Sequence, residues 1–230
     1  MDQAAEQPRL KKPRVGEPRV GEPSLKKPRL KKPRVEEPGA GVQSGSPGTL
    51  RPVCPGDASG IAEIYNYYIK HTVVTFEEEP LSIETMAERI REVIVRYPWF
   101  VWEERGEIVG YAYAHAWHQR AAYRFAAEDS IYLKPGWERQ GIGRRLLERV
   151  IGELRQTRLH VVMAAITLPN PASVRLHESF AFKKVGQFDE TGYKLGKRLD
   201  VGYWELILNG YADGVADATV LGDGGKEAEG

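Results

Sequence analysis

Residues 49–208 predict one α/β (α+β) domain built on a mixed, twisted sheet of about six to seven strands flanked by about four helices. Three observations carry this prediction. Seven short apolar runs of strand length alternate with four amphipathic stretches of helical period. A loop with glycines at 141 and 143 stands between one of those strands and a helix. The chain of 230 residues, 41% of them apolar, holds one such domain with room for unstructured flanks.

The elements follow in order. Leu50 to Val53 reads as a short first strand, and Asp57 is placed to cap a helix carrying Ile61, Ile64, Tyr65 and Tyr68 on one face. Ser82 opens a second helix through about Arg96, with Met86, Ile90, Val93 and Ile94 at helical spacing, and Pro98 stops it. Trp99 to Glu103 and Ile108 to Ala116 form a strand pair about an Arg105-Gly106 turn. Asp129 to Leu133 is a fourth strand, ended by Pro135. Gly141 to about Gln156 is a third helix with Leu146, Leu147, Val150, Ile151 and Leu154 turned inward. Val161 to Leu168 is nearly continuous in apolar residues, the pattern of a strand buried on both faces. A short helix over 171–179 and strands over Lys183 to Phe188 and Val201 to Leu208 complete the domain.

The flanks differ. Residues 1–48 contain a five-residue repeat beginning at Leu10, Val15, Val20, Leu25, Leu30 and Val35, with a proline in every unit. Proline at that frequency removes backbone donors and disfavours both helix and central strand. One small apolar residue per unit cannot offset the entropy of ordering the chain, so a solvated, partly polyproline-like tail is expected. The same tail could be a basic docking arm or a localisation signal. The Gly-, Ala- and Asp-rich stretch 209–230 is expected to be a second disordered tail.

The net charge of +1 hides an asymmetry. Residues 1–48 hold 11 Lys and Arg against 6 Asp and Glu, and the rest hold 22 against 26. The body is mildly acidic, without the basic face of a nucleic-acid binder. Cys54 is the sole cysteine, which excludes an internal disulfide and a thiolate metal cluster. With no long apolar run and no signal-like h-region, a cytoplasmic protein without a membrane span is expected.

The glycine loop is the chemical signal. Gly141 and Gly143 let the backbone approach a ligand, and first-turn N–H groups lack intrahelical partners, so Arg139, Gln140, Gly141, Ile142, Gly143 and Arg144 form a candidate pyrophosphate site. Glu138 at the head of that loop must face solvent if an anion is to bind. No GK[ST] follows, against a Walker-type site. The break at Leu168 to Pro171 can splay its strand from a neighbour. Asn170 and the backbone of Ile131, Tyr132 and Leu133 could then pair with an extended ligand arm.

The segments Arg96–Phe100, Gly110–Ala114, Tyr123–Glu128, Ser130–Leu133, Gly141–Gly143, Leu168–Asn170, Ser173–Glu178 and Asp200–Trp204 carry a family resemblance. The chain resembles the GNAT superfamily of N-acetyltransferases, and within it the phosphinothricin acetyltransferase group, which includes methionine sulfone and sulfoximine acetyltransferases. The resemblance spans nearly all of 50–208 and none of the repeat tail. It implies the GNAT fold, acetyl-CoA as cosubstrate, no metal, a homodimer, and direct attack of an L-amino acid's amine on the thioester. Glu128 and His177 match the family's catalytic positions, one as base and one as acid, with the assignment between them open. A backbone N–H of residues 131–133 is expected to stabilise the oxyanion. Trp117 and Tyr123 would wall the amino-acid side chain, and Arg120 and Arg124 would bind its carboxylate. Two other readings compete: a scaffold or sensor that binds acetyl-CoA and docks through its basic tail, and an acetyltransferase for a different amine.

Overall fold

The computed structural model describes residues 48–208. The expected disordered tails, together with any docking role of the basic repeat, lie outside the described residues.

Seven strands and four α-helices alternate as the sequence predicts. They are β1 (Thr49–Pro52), α1 (Ala58–His71), α2 (Ile83–Ile94), β2 (Trp99–Glu104), β3 (Glu107–Ala116), β4 (Ala126–Leu133), α3 (Ile142–Leu154), β5 (Val161–Leu168), α4 (Pro171–Glu178), β6 (Lys183–Lys194) and β7 (Lys197–Ile207). The sheet order is β1-β2-β3-β4-β5-β7-β6, with β4–β5 the parallel pair and every other neighbour antiparallel.

Strand alternation sends successive side chains to opposite faces, and each face has its own core. Ile61, Ile64, Met86 and Ile90 of α1 and α2 pack on Val101 and Tyr111. On the reverse face, Leu146, Leu147, Val150 and Leu154 of α3 pack on Val109, Val162 and Ile166. All five residues read as inward on the third helix are buried.

Four expectations change in detail. Asp57 does not cap α1 with its side chain. A 3₁₀ turn, Pro55–Asp57, precedes the helix and leaves Asp57 in helical geometry. Its carboxylate instead reaches back to accept from the Cys54 N–H (2.8 Å) and the Arg51 guanidinium (2.8 and 2.7 Å). Ser82 does cap α2, accepting from the Thr85 N–H at 3.1 Å, but the helix ends at Ile94, which is exposed. β5 is buried on one face and less so on the other: Val162, Ala164 and Ile166 are inward, while on the second face Ala165 is exposed and only Thr167 is buried. The helices on that second side cover β2 to β4 and leave β5 open.

The fourth difference is the largest. The last two strands form one long hairpin about Leu195-Gly196. Both turn residues have positive φ (50° and 74°), as do Arg105 and Gly106 in the β2–β3 turn (52° and 80°). That backbone twist matches the strands it joins. Near the hairpin tip, buried Lys194 donates to the Thr75 carbonyl at 2.7 Å, and Gly192 lies so close to the Phe76 ring that a Cβ would strike it. The hairpin thereby holds the segment between α1 and α2.

Candidate active site

β4 and β5 pair only at Ala126↔Val161, Ala127↔Val162 and Glu128↔Met163. Beyond that point they separate, leaving a cleft lined by residues 129–132 of β4 and 164–167 of β5. Each strand keeps its ladder on the other side, β4 with β3 and β5 with β7, so the edges facing the cleft offer free main-chain groups. Asn170, Ser173 and His177 close one side, and Val74 from the segment held by the hairpin closes another. Asn170 also caps α4, its Oδ1 accepting from the Ser173 N–H at 3.1 Å.

Of the residues expected to bind the cosubstrate, Ile131, Tyr132 and Asn170 line this cleft. Leu133 follows on the same edge, its carbonyl accepting from the Tyr68 hydroxyl at 2.8 Å. Gly141 is the N-cap of α3 with φ of 80°, and no side chain caps the helix, whose first-turn N–H groups have no intrahelical partner. Arg139 is also left-handed, at 63°. Gly143 is not sterically required: a Cβ there would meet Ile131 at an ordinary 3.5 Å. Arg144 turns toward α4, donating to Ser179 Oγ at 3.3 Å with its guanidinium 5.0 Å from the Phe180 ring centre. Glu138 is exposed and folds back to accept from the Gly136 N–H at 2.9 Å. Gln140 is exposed beside it.

Glu128 and His177 sit on opposite faces of the sheet beside the splay. Glu128 lies opposite His115 of β3, on the face of Tyr113, Ser130 and Tyr132. It is half-buried, and burial, reinforced by the adjacent Asp129 charge, pushes its pKa up to about 7. His177 is buried on the α3–α4 face. Its Nδ1 donates to the Ser173 carbonyl at 2.8 Å, and its Nε2 lies 3.0 Å from Asp129 Oδ2. Burial pulls the His177 pKa down, but the Asp129 charge, the hydrogen bond to it and the Ser173 carbonyl together hold it above the usual value.

The residues expected to select substrate stand apart from the cleft wall. Trp117 packs edge-on against Tyr203, with centroids 5.7 Å apart. Arg120 and Tyr123, with His118 and Gln119, line a separate shallow hollow. Arg124 lies over the Phe125 ring at 4.6 Å and donates to the Ala121 carbonyl, and it does not line that hollow with Arg120.

Sequence reading missed Asp129, His115 and Val74. Asp129 had a signal: it is the acidic member of the run Ala127, Asp129, Ile131, Leu133, which otherwise presents apolar side chains to one core. Val74 had none, because a loop delivers it. Among the described residues, no group of three or more His, Cys, Asp or Glu could hold a metal ion.

Residues 61–182, more than half the chain, match the model of the Acetyltransferase (GNAT) family. The chain belongs to the GNAT family. It falls in that family's phosphinothricin acetyltransferase-like group. It is 34% identical over 159 residues to phosphinothricin N-acetyltransferase of Streptomyces viridochromogenes, covering 69% of this chain and 87% of that one. It is 34% identical over 165 residues to L-methionine sulfoximine/L-methionine sulfone acetyltransferase of Salmonella typhimurium, covering 71% and 96%. A solved phosphinothricin acetyltransferase of Sinorhizobium meliloti, in complex with AcCoA, superposes with a TM-score of 0.68 at 36% identity, covering 78% of this chain and 96% of that one. The GNAT domain is thus an acyltransferase, with buried His177 on the α3–α4 face of its sheet and Glu128 on the other. No described helix is long and apolar enough to cross a membrane.

Proposed function

We propose that this acetyltransferase moves the acetyl group of acetyl-CoA directly to the amino group of an L-amino acid of the phosphinothricin, methionine sulfone or sulfoximine type, in the cytoplasm. The observation that carries this is the β4–β5 cleft with a carboxylate of raised pKa at its root. The cleft fits an extended amide-bearing arm, because its walls are free main-chain donors and acceptors. The uncapped N-terminus of α3 fits a pyrophosphate.

Within that frame, Glu128 takes a proton from the attacking amine. A carboxylate with a pKa near 7 is matched to this task at neutral pH, being substantially ionised yet basic enough to hold the proton. His177, on the opposite face of the same cleft, is the group that returns a proton to the departing sulfur. Main-chain N–H groups at 131–133 stabilise the developing oxyanion. Trp117, Arg120, Tyr123 and Arg124 receive the amino acid, which requires Arg120 or Arg124 to swing toward the Glu128 face when it binds.

Support for a homodimer comes from β6, an edge strand whose Val185, Phe188 and Tyr193 are all exposed. Light scattering at micromolar concentration should give twice the chain mass, and a monomer would overturn the pairing. The reaction is tested by thiol release from acetyl-CoA with a panel of these amino acids, wild type beside Glu128→Gln. Turnover of at least one, lost in the variant, is expected. No turnover on any would refute the reading.

A further inference from the structure

Asp129 and His177 are buried together, 6% and 3% exposed, and both line the cleft. The Ser173 carbonyl can only accept, so the Nδ1 facing it at 2.8 Å carries a hydrogen. The Nε2 faces a carboxylate oxygen at 3.0 Å, a contact that is strongest when that nitrogen is protonated as well. The geometry on both sides of the ring therefore selects the imidazolium. The second Asp129 oxygen, Oδ1, is buried with no hydrogen-bond partner. A buried carboxylate left half-satisfied is costly, which marks it as held for something other than packing.

We propose that Asp129 is a positioning residue that keeps His177 doubly protonated beside the cleft, and that this pair supplies the proton the leaving thiolate takes up. This rests on the acetyl transfer proposed above. The balance is simple. The amine nitrogen bonds to the acetyl carbon, the carbon–sulfur bond breaks, one amine proton passes to Glu128, and the Nε2 proton passes to sulfur. His177 is left neutral with its hydrogen on Nδ1. Glu128 then releases one proton to solvent and His177 regains one, so the cycle closes.

Besides the Ser173 hydroxyl, which lies 3.2 Å from Nδ1 on the side of the carbonyl, the described residues supply no rival partner. On β4, Glu128 points to the other face, and on β3 His115 does too, its pKa lowered by burial. β5 brings Ala164, Ala165, Ile166 and Thr167 to the cleft, none of them titratable. Phe182 meets the imidazole edge-on at 5.1 Å. On α4, Arg175 and Glu178 are exposed, and Glu178 accepts from Trp204. Arg144 of α3 is held by Ser179.

The test is an NMR titration of the His177 ring in the ligand-free full chain, wild type against Asp129→Asn, followed by steady-state kinetics on both. Asparagine keeps the shape and can still meet Nε2, so the ring should stay in place while its titration falls by about one pH unit or more. The value of kcat should drop about tenfold or more while KM for acetyl-CoA holds, and the alkaline limb of the kcat profile should move down with the ring. An unchanged titration overturns the proposal, as does a lowered titration with kcat intact. Should Asp129→Asn fail to fold, the wild type decides alone: a ring carrying one proton at pH 6 overturns the pairing. A wild type with a raised His177 titration but no turnover on any amine would overturn the transfer reading while the buried pair stands, so the two failures are distinct.

Discussion

Glu128 is tuned against the stability of its own domain. Its folded pKa lies above the ordinary carboxylate value because burial disfavours the charge. A group raised in this way contributes stability that is full below its unfolded pKa and lost as pH rises through the folded one. Above pH 7 the wild type therefore carries a destabilising buried charge that glutamine would lack. Glu128→Gln is expected to melt higher than wild type at pH 8, with the gap closing by pH 5; scanning calorimetry at the two values checks this. Activity has the opposite sign. A base works ionised, so kcat/KM should climb with pH through an apparent pKa near 7, and Glu128→Gln should lose that limb with about 10²-fold or more of the rate. A rate flat from pH 5.5 to 8 would contradict the role. Glu128 and His177 stood out in the sequence as candidates because the family motifs bracket them. Asp129 carried only a weak mark, its place in an otherwise apolar alternation, because an acid between Glu128 and Ser130 reads as a solvated strand end until its partner, 48 residues away, is in place.

At the scale of single elements, the α3 entry loop and the last hairpin invite different tests. Gly141 is left-handed at 80°, a conformation costing a residue with a Cβ roughly 1–2 kcal/mol. Gly141→Ala should weaken acetyl-CoA binding measurably by calorimetry and lower the melting temperature by a few degrees, the cost of that strain in the folded state. Glu138→Gln, by contrast, should leave affinity equal or better, because the carboxylate engages only Gly136 and an anion nearby gains from its removal. A clear loss would mean that Glu138 orders the loop. The β2–β3 and β6–β7 hairpins show what sequence can and cannot resolve. Arg105-Gly106 was legible because alternating apolar runs flank it closely. Leu195-Gly196 was not: nine of the first ten residues of β6 are exposed, and an irregularity between Phe188 and Gly192 breaks the alternation that would have announced the strand.

For the molecule as a whole, stability should reside in the two faces of the sheet, and the cleft should contribute little of it. Leu147 of α3 is fully buried in the larger core. Leu147→Ala should cost about 2–5 kcal/mol, read from denaturant unfolding. The fold class and nearly every element were legible because period and capping are local properties. The cleft was legible only as a possibility, since Pro169 marks where a strand stops but not how far its neighbour has turned away. The assembly of the site draws on β4, α4, the α1–α2 segment and a hairpin tip more than a hundred residues from the loop it holds. Such distances are set by packing alone.

The separation of β4 from β5 has a consequence for how this protein can change over time. A site walled by main chain is written in geometry, and side-chain substitutions along 164–166 alter its lining without erasing the donors and acceptors that face it. A chain of this kind can therefore drift in sequence and still present the same rows of amides. Variation in the chain's chemistry is then free to concentrate on the opposite face, around Glu128, where the proposed reaction would have its amine selected by side chains.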